Sequence, residues 1–205
     1  MDLSKYSYIE VPAFTGDPLR AAKRLLRANG KEATLAHVCA VADECTGLAR
    51  RFSLSQERCR LCGVLHDVGA VMRPEDMLSF ARERGMAVDF AEERHPFLLH
   101  QRLSEILSRE LLGVEDGAVL SAVGCHTTLK EKPSPYDMTL FLADKLAWDQ
   151  EGTPPYAQAV REALARSLEG ACLTYIDYAL LNGRVLCPHR WLLQAHASLK
   201  SHPEI

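Results

Sequence analysis

The 205 residues, 47 % of them hydrophobic, fit one domain with a sizeable core. A formal net charge of -3 leaves no electrostatic footprint for a nucleic-acid polymer, so a polyanionic partner would need a local basic pocket. Seven cysteines form an odd set with no secretory leader before them, and no apolar run is long enough to span a bilayer. Together these read as a cytoplasmic chain with reduced thiols and no membrane partner.

Helical signals run from end to end. Asp17-Pro18 is an N-cap followed by proline at the first helical position, and Asn29-Gly30 is the matching stop. From Thr34, Val38, Val41, Ala42, Cys45, Leu48, Ala49 and Phe52 recur at helical spacing, with His37 bordering the stripe. Ser53 with Gln56, or Ser55 alone, caps a helix that carries Cys59, Cys62, Val64 and Leu65 into His66-Asp67. The C-x-x-C of Cys59 and Cys62 lies mid-helix without a second pair, so it reads as two small buried hydrophobes.

Pro74 opens and Gly85 closes a polar helix, and 85–94 reads as an irregular charged loop. Pro96 starts a helix with His100 in its first turns, Asp116 caps the segment leading to Cys125-His126, and 130–135 reads as a loop. Helical periodicity returns from Met138 to Leu146 and places Asp144 in an apolar stretch. Gly152 to Pro155 breaks the chain. One long amphipathic helix is predicted from there to Asn182-Gly183, then a short one from Pro188 to about Lys200. The expected architecture is all-α, a single helical bundle over 17–182 with an N-terminal extension (1–16) and a C-terminal tail (183–205).

Asp144 stands out chemically, because a carboxylate inside Leu-Phe-Leu-Ala-Asp-Lys-Leu pays a large desolvation cost unless a cation or proton neutralises it. Lys145 is adjacent but points elsewhere on a helix, which makes it a poor partner. The adjacent pair His66-Asp67 joins a neutral nitrogen ligand to a carboxylate able to bridge two cations, the donor chemistry of a dinuclear hydrolytic site. His95, His189, His196 and His202 read as surface residues without chemistry.

The ordered set His37, His66-Asp67, His126 and Asp144 resembles the HD-domain metal-dependent phosphohydrolase superfamily. The stretches Leu65-His66-Asp67, Phe97-Leu98-Leu99-His100, Cys125-His126-Thr127-Thr128 and Phe141-Leu142-Ala143-Asp144-Lys145 are similar to its YqeK branch over roughly Leu19 to Leu180. That branch comprises symmetrical bis(5'-nucleosyl)-tetraphosphatases, which split diadenosine tetraphosphate into two ADP at a dinuclear iron site. The resemblance implies an HD-domain helical bundle and a hydrolase of phosphoanhydride or phosphoester bonds. It implies two divalent or mixed-valence metal ions, iron first, with manganese or another transition metal as alternatives. His37, His66, Asp67 and Asp144 would hold one ion, and Asp67, His100 and His126 the other; the shared Asp67 is the catalytic position.

This chain departs from the branch where cations meet polyphosphate. Ala70 stands at a lysine position, no clear arginine match lies within 129–135, and Ala147-Trp148-Asp149-Gln150 replaces a Glu-Pro-x-Arg segment. Each charge-assisted hydrogen bond so lost is worth about 1.5–3 kcal/mol. Arg73, Lys130, Lys132 and Lys145 are candidate replacements, and Trp148 with Tyr156 a candidate base platform. The expected partner is a small nucleotide or phosphoester. Two alternatives stand beside the tetraphosphatase reading: the same fold acting on another substrate, or a non-catalytic regulatory domain that binds metal or nucleotide. A homodimer is left open.

Overall fold

The computed structural model describes residues 1, 3–13, 16–148, 151–183, 185 and 187–201; the expectations for Asp149, Gln150 and His202 lie outside them. Among the described residues every regular element is helical, as the periodicity predicts. None of these helices is long and apolar enough to cross a membrane.

Helix α1 (Pro18–Ala28) begins where Asp17 accepts the amides of Leu19 and Arg20, and it stops at Asn29 before Gly30 at φ +66°. Helix α2 (Glu32–Arg51) starts at Glu32 rather than Thr34 and buries the stripe that includes Val38, Val41, Ala42, Cys45 and Leu48. Helix α3 (Gln56–Leu65) is capped by Ser55, while Ser53 turns the chain at φ +54°. Gly63 makes the α2–α3 pairing close: a Cβ there would lie 2.4 Å from Ala42 Cα. A 3-10 turn, Val68–Val71, follows His66-Asp67.

Helix α4 (Pro74–Glu83) has proline in its first turn. The stretch expected to be an irregular loop contains a short helix, α5 (Phe90–Arg94), because Asp89 and Glu92 form a reciprocal capping box. Pro96 starts a 3-10 turn (Pro96–Leu99) that passes into α6 (His100–Glu110) at His100 itself. Helix α7 (Gly117–Cys125) is capped by Asp116, and α8 (Pro135–Leu146) by a second box, Ser134 with Asp137.

The long helix expected after Pro155 is two. Helices α9 (Ala157–Leu164) and α10 (Leu168–Leu181) are divided where Ser167 adopts extended backbone and its hydroxyl accepts the Gly170 amide. A serine that offers its own oxygen to the backbone competes with the helix it interrupts. Helix α11 (Arg190–Ser201) is the short terminal helix expected from Pro188, and it buries Leu192, Ala195 and Leu199.

Helices α2, α3, α7 and α8 form the centre of the bundle; α6 covers α7, α1 lies along α2 and α3, and α10 packs on α8 beneath α9 and α11. The N-terminal residues join this core: Tyr6 and Ile9 are buried, and Tyr8 donates its hydroxyl proton to Asp76 at 2.6 Å. Cys59 and Cys62 are buried, and burial pushes the Cys59 thiol up to about 11, so neither is a reactive thiolate.

Candidate metal centre

Five helices deliver the six expected ligand positions to one end of the bundle. His37 comes from α2, His66 and Asp67 from the end of α3, and His100 from the start of α6. His126 comes from the end of α7 and Asp144 from α8. Ligand atoms of His37, His66 and Asp67 lie within 4.8 Å of one another, and so do those of Asp67, His100 and His126. Asp144 belongs to the first set: its Oδ1 is 3.1 Å from His37 Nε2 and 3.6 Å from His66 Nε2.

Asp67 faces both sets with separate oxygens. Its Oδ2 is 3.6 Å from His66 Nε2, whereas Oδ1 lies 3.2 Å from His100 Nε2 and 3.6 Å from His126 Nε2.

Three of the imidazoles are tethered alike. Nδ1 of His66, His100 and His126 lies 2.8, 2.6 and 2.9 Å from the carbonyls of Gly63, Phe97 and Val123, each three residues earlier. A carbonyl only accepts, so each Nδ1 carries a proton and donates it; each Nε2 is turned inward and offers a lone pair when the ring is neutral. The consequence is sharpest between His100 and His126, whose Nε2 atoms are 3.0 Å apart. Two lone pairs at that distance repel unless a cation stands between them. His66 Nε2 is likewise buried without a hydrogen-bond partner. Orphaned inward nitrogens beside two carboxylates fit a transition-metal site, and the carbonyl tethers fit the outer support such ligands receive.

The charges of the protein itself already polarise the cluster. Burial disfavours charge on His66, yet Asp67 and Asp144 raise it to about 9. Burial also opposes ionisation of Asp67, but His66, His100 and His126 hold its carboxyl far below the ordinary range. Burial, followed by the neighbouring His66 and His100, pushes His126 well down. Asp144 is held well below a normal carboxyl against its burial, chiefly by Lys145 and then by His37 and His66.

Lys145 corrects one expectation. Its Nζ lies 2.5 Å from Asp144 Oδ2, because the four-carbon stem folds back past the divergence of adjacent helix positions. Opposing burial is outweighed by Asp144, and the ammonium pKa is raised.

A cleft of about 380 Å³ opens from His37 and Asp144, bordered by Thr127, Lys145, Trp148, Tyr156 and Tyr175 among others. Of the candidate substrate contacts, Lys145 and Trp148 reach this cleft. Arg73 instead stacks over Tyr8 at 4.1 Å, and Lys130 pairs with buried Asp137 at 3.2 Å. Lys132 borders a separate groove and donates its amide to Ser198.

Trp148 meets Tyr156 edge-on, with centroids 6.4 Å apart, while remaining 36 % exposed. His189, expected on the surface, is buried and borders the cleft. Gln101 also escaped the sequence reading: fully buried, it accepts the amides of Thr127 and Thr128 and so fixes the turn after His126. No local pattern marks either residue.

The family model of the HD domain matches residues 34–149, the span that holds all six positions. The chain belongs to the HD-domain family. This HD-domain chain is 35 % identical, over 148 residues, to an uncharacterized protein in the pepC 5'region of Lactococcus lactis subsp. cremoris, covering 72 % of this chain and 75 % of the relative. It is 26 % identical over 156 residues to a symmetrical bis(5'-nucleosyl)-tetraphosphatase of Halalkalibacterium halodurans, covering 75 % and 80 %. Its HD-domain fold superimposes with a TM-score of 0.80 on a crystal structure from Clostridium acetobutylicum, that of a predicted HD superfamily hydrolase involved in NAD metabolism. The sequences are 23 % identical, and the match covers 89 % of this chain and 96 % of that one.

Proposed function

We propose that the chain hydrolyses a phosphoanhydride or phosphoester bond of a nucleotide at a dinuclear metal centre. The observation that carries the reading is Asp67, whose two oxygens face two separate imidazole sets. His37, His66, Asp67 and Asp144 would hold one ion, and Asp67, His100 and His126 the other. Mixed imidazole and carboxylate donors suit iron, manganese or another borderline metal, and the family resemblance puts iron first among them. Two such cations acidify water and neutralise the charge of a phosphoryl group.

The protein's own part is placement. The carbonyl tethers fix the ligand rings, Lys145 balances Asp144, and Thr127 sets its hydroxyl 3.3 Å from His100 Nε2 at the edge of the cleft. Lys145 and Trp148 are the proposed substrate contacts.

The name of the Halalkalibacterium halodurans relative supports diadenosine tetraphosphate, split into two ADP, as the reference substrate. A second reading, a nucleotide with fewer charges, is favoured by Ala70 and by the cleft itself. Lys145 is the one lysine or arginine among its described lining residues, and it already serves Asp144. The free state of all seven cysteines supports a reducing, cytoplasmic setting.

Metal analysis with a substrate panel tests the proposal: diadenosine tetraphosphate, mononucleotides and a generic phosphodiester, on the parent and on Asp67→Ala. Asp67→Ala is expected to lose both ions and all turnover. Activity retained in that variant would remove the proposed site, and metal without turnover in the parent would make the chain a binding domain.

A further inference from the structure

The last stretch of chain reaches back to the cleft. Val185 and Leu192 border it together with Trp148 and Tyr175, and His37 and Asp144 are on its lining too, shared with the candidate metal centre. What holds this stretch in place is a buried acid far away in sequence. Glu92 is fully buried, accepts the Asp89 amide at 2.8 Å, pairs with Arg102 at 3.2 Å, and lies 3.5 Å from His189 Nε2.

The segment makes further attachments to the same place. The Arg190 amide donates to Asp89 Oδ2, and the Arg102 guanidinium sits 5.8 Å from the Trp191 ring centre. Within the segment, His189 Nδ1 accepts the Trp191 amide, so its proton is on Nε2, the nitrogen 3.5 Å from Glu92 Oε1. A fully buried carboxylate is costly, and Glu92 is none of the six metal-ligand positions. Among its partners, His189 borders the cleft.

We propose that this C-terminal wall, positioned by Glu92, is the nucleoside-recognition site of the enzyme, taking one flat base among Trp148, Tyr175, Val185 and Leu192. The inference rests on the proposed phosphohydrolase reading. A phosphoryl group placed at the metal centre leaves the organic part of its ester facing this cleft, which begins at the same His37 and Asp144. The cleft, at about 380 Å³, lies near the lower end of small-molecule sites and matches one nucleoside rather than two. Its walls are aromatic and aliphatic, and a base offers a π-face of the kind aromatic side chains hold irrespective of sequence. Leu192 is a specificity residue in this account, and Glu92 a positioning residue.

The test uses the full chain loaded with manganese. Calorimetric dissociation constants are measured for adenosine 5'-monophosphate and, as the probe without a base, inorganic phosphate. Leu192→Ala and Glu92→Gln are each expected to weaken the nucleotide about tenfold while leaving phosphate within about twofold of the parent. Thermal melts establish that the variants are folded, and should Leu192→Ala unfold, Glu92→Gln reads the same ratio.

The wall is refuted if both ligands weaken in parallel, if neither changes, or if the parent binds the nucleotide no tighter than phosphate. The two proposals fail separately. A parent that hydrolyses nucleotides with unchanged selectivity in both variants removes the wall alone. A parent that shows the expected binding ratio but turns over nothing upholds the wall and removes the hydrolase.

Discussion

Gly63→Ala tests whether the close approach of α2 and α3 builds the metal centre. An added Cβ would lie 2.4 Å from Ala42 Cα and 2.6 Å from Ala42 N, where ordinary contact begins at 3.4 Å. The obstacle is backbone, so the helices must part by about 1 Å, since no flexible side chain is there to swing aside. Overpacking of this kind costs about 1–3 kcal/mol, and the better helix propensity of alanine returns about 1. The net loss is then up to about 2 kcal/mol, a melting temperature lower by up to about 8 °C at this chain length.

The same movement reaches the site, because the Gly63 carbonyl holds His66 Nδ1 while His37 stands on the helix being pushed away. Metal affinity should therefore fall more than the stability change alone implies. Gly47→Ala is the control: that glycine lies in α2, the partner helix of Gly63's α3, and the nearest atom to an added Cβ is 4.0 Å away, on Arg50. It should stabilise the protein by up to about 1 kcal/mol with metal binding intact. Thermal melts and titration with manganese decide the matter. A Gly63→Ala protein that melts like the control and binds both ions with parental affinity would show that the close approach does not set the site.

Two further outcomes follow from the charges. His66, raised to about 9, contributes stability that is complete below its unfolded value of about 6.5 and is lost as pH rises through about 9. The same proton competes with a cation, so manganese affinity should climb over that interval and loading should release about one proton. Calorimetry near about pH 7.5 in two buffers of different ionisation enthalpy reads this release, and identical heats would contradict it. Lys145→Met removes the counter-charge of buried Asp144 and should cost about 3–5 kcal/mol without added metal, and clearly less with manganese present. Equal destabilisation under both conditions would mean that Lys145 does not serve Asp144.

The sequence made the helix boundaries legible where a cap is local. Asp17, Ser55 and Asp116 each accept amides two or three residues ahead, and such signals lie within a few positions of one another. The six candidate positions stood out in part for a similar reason, since each sits at a helix end or along an apolar stripe where its polarity is out of place, and the family resemblance grouped them into one proposed centre. What remained hidden was tertiary or competitive. Ser167 divides a continuous amphipathic pattern because its hydroxyl competes with the helix. Helix α5 is too short to show periodicity, and its first residue, Phe90, is 62 % exposed. Lys145 reaches Asp144 by the freedom of its stem, which spacing cannot express. His189 is buried by Glu92 from nearly a hundred residues away, and no window along the chain contains both.

The carbonyl tethers on His66, His100 and His126 have a consequence for the order of events in assembly. Each tether is made within one turn of the histidine it holds, so the rings take their final orientation as the helix ends form. The conformational entropy of aligning the ligands is spent during folding, and an arriving cation meets a finished socket. Loading of the proposed centre would then be a competition between cation and proton for nitrogens already in place, unlike that of small domains that have no structure until metal arrives.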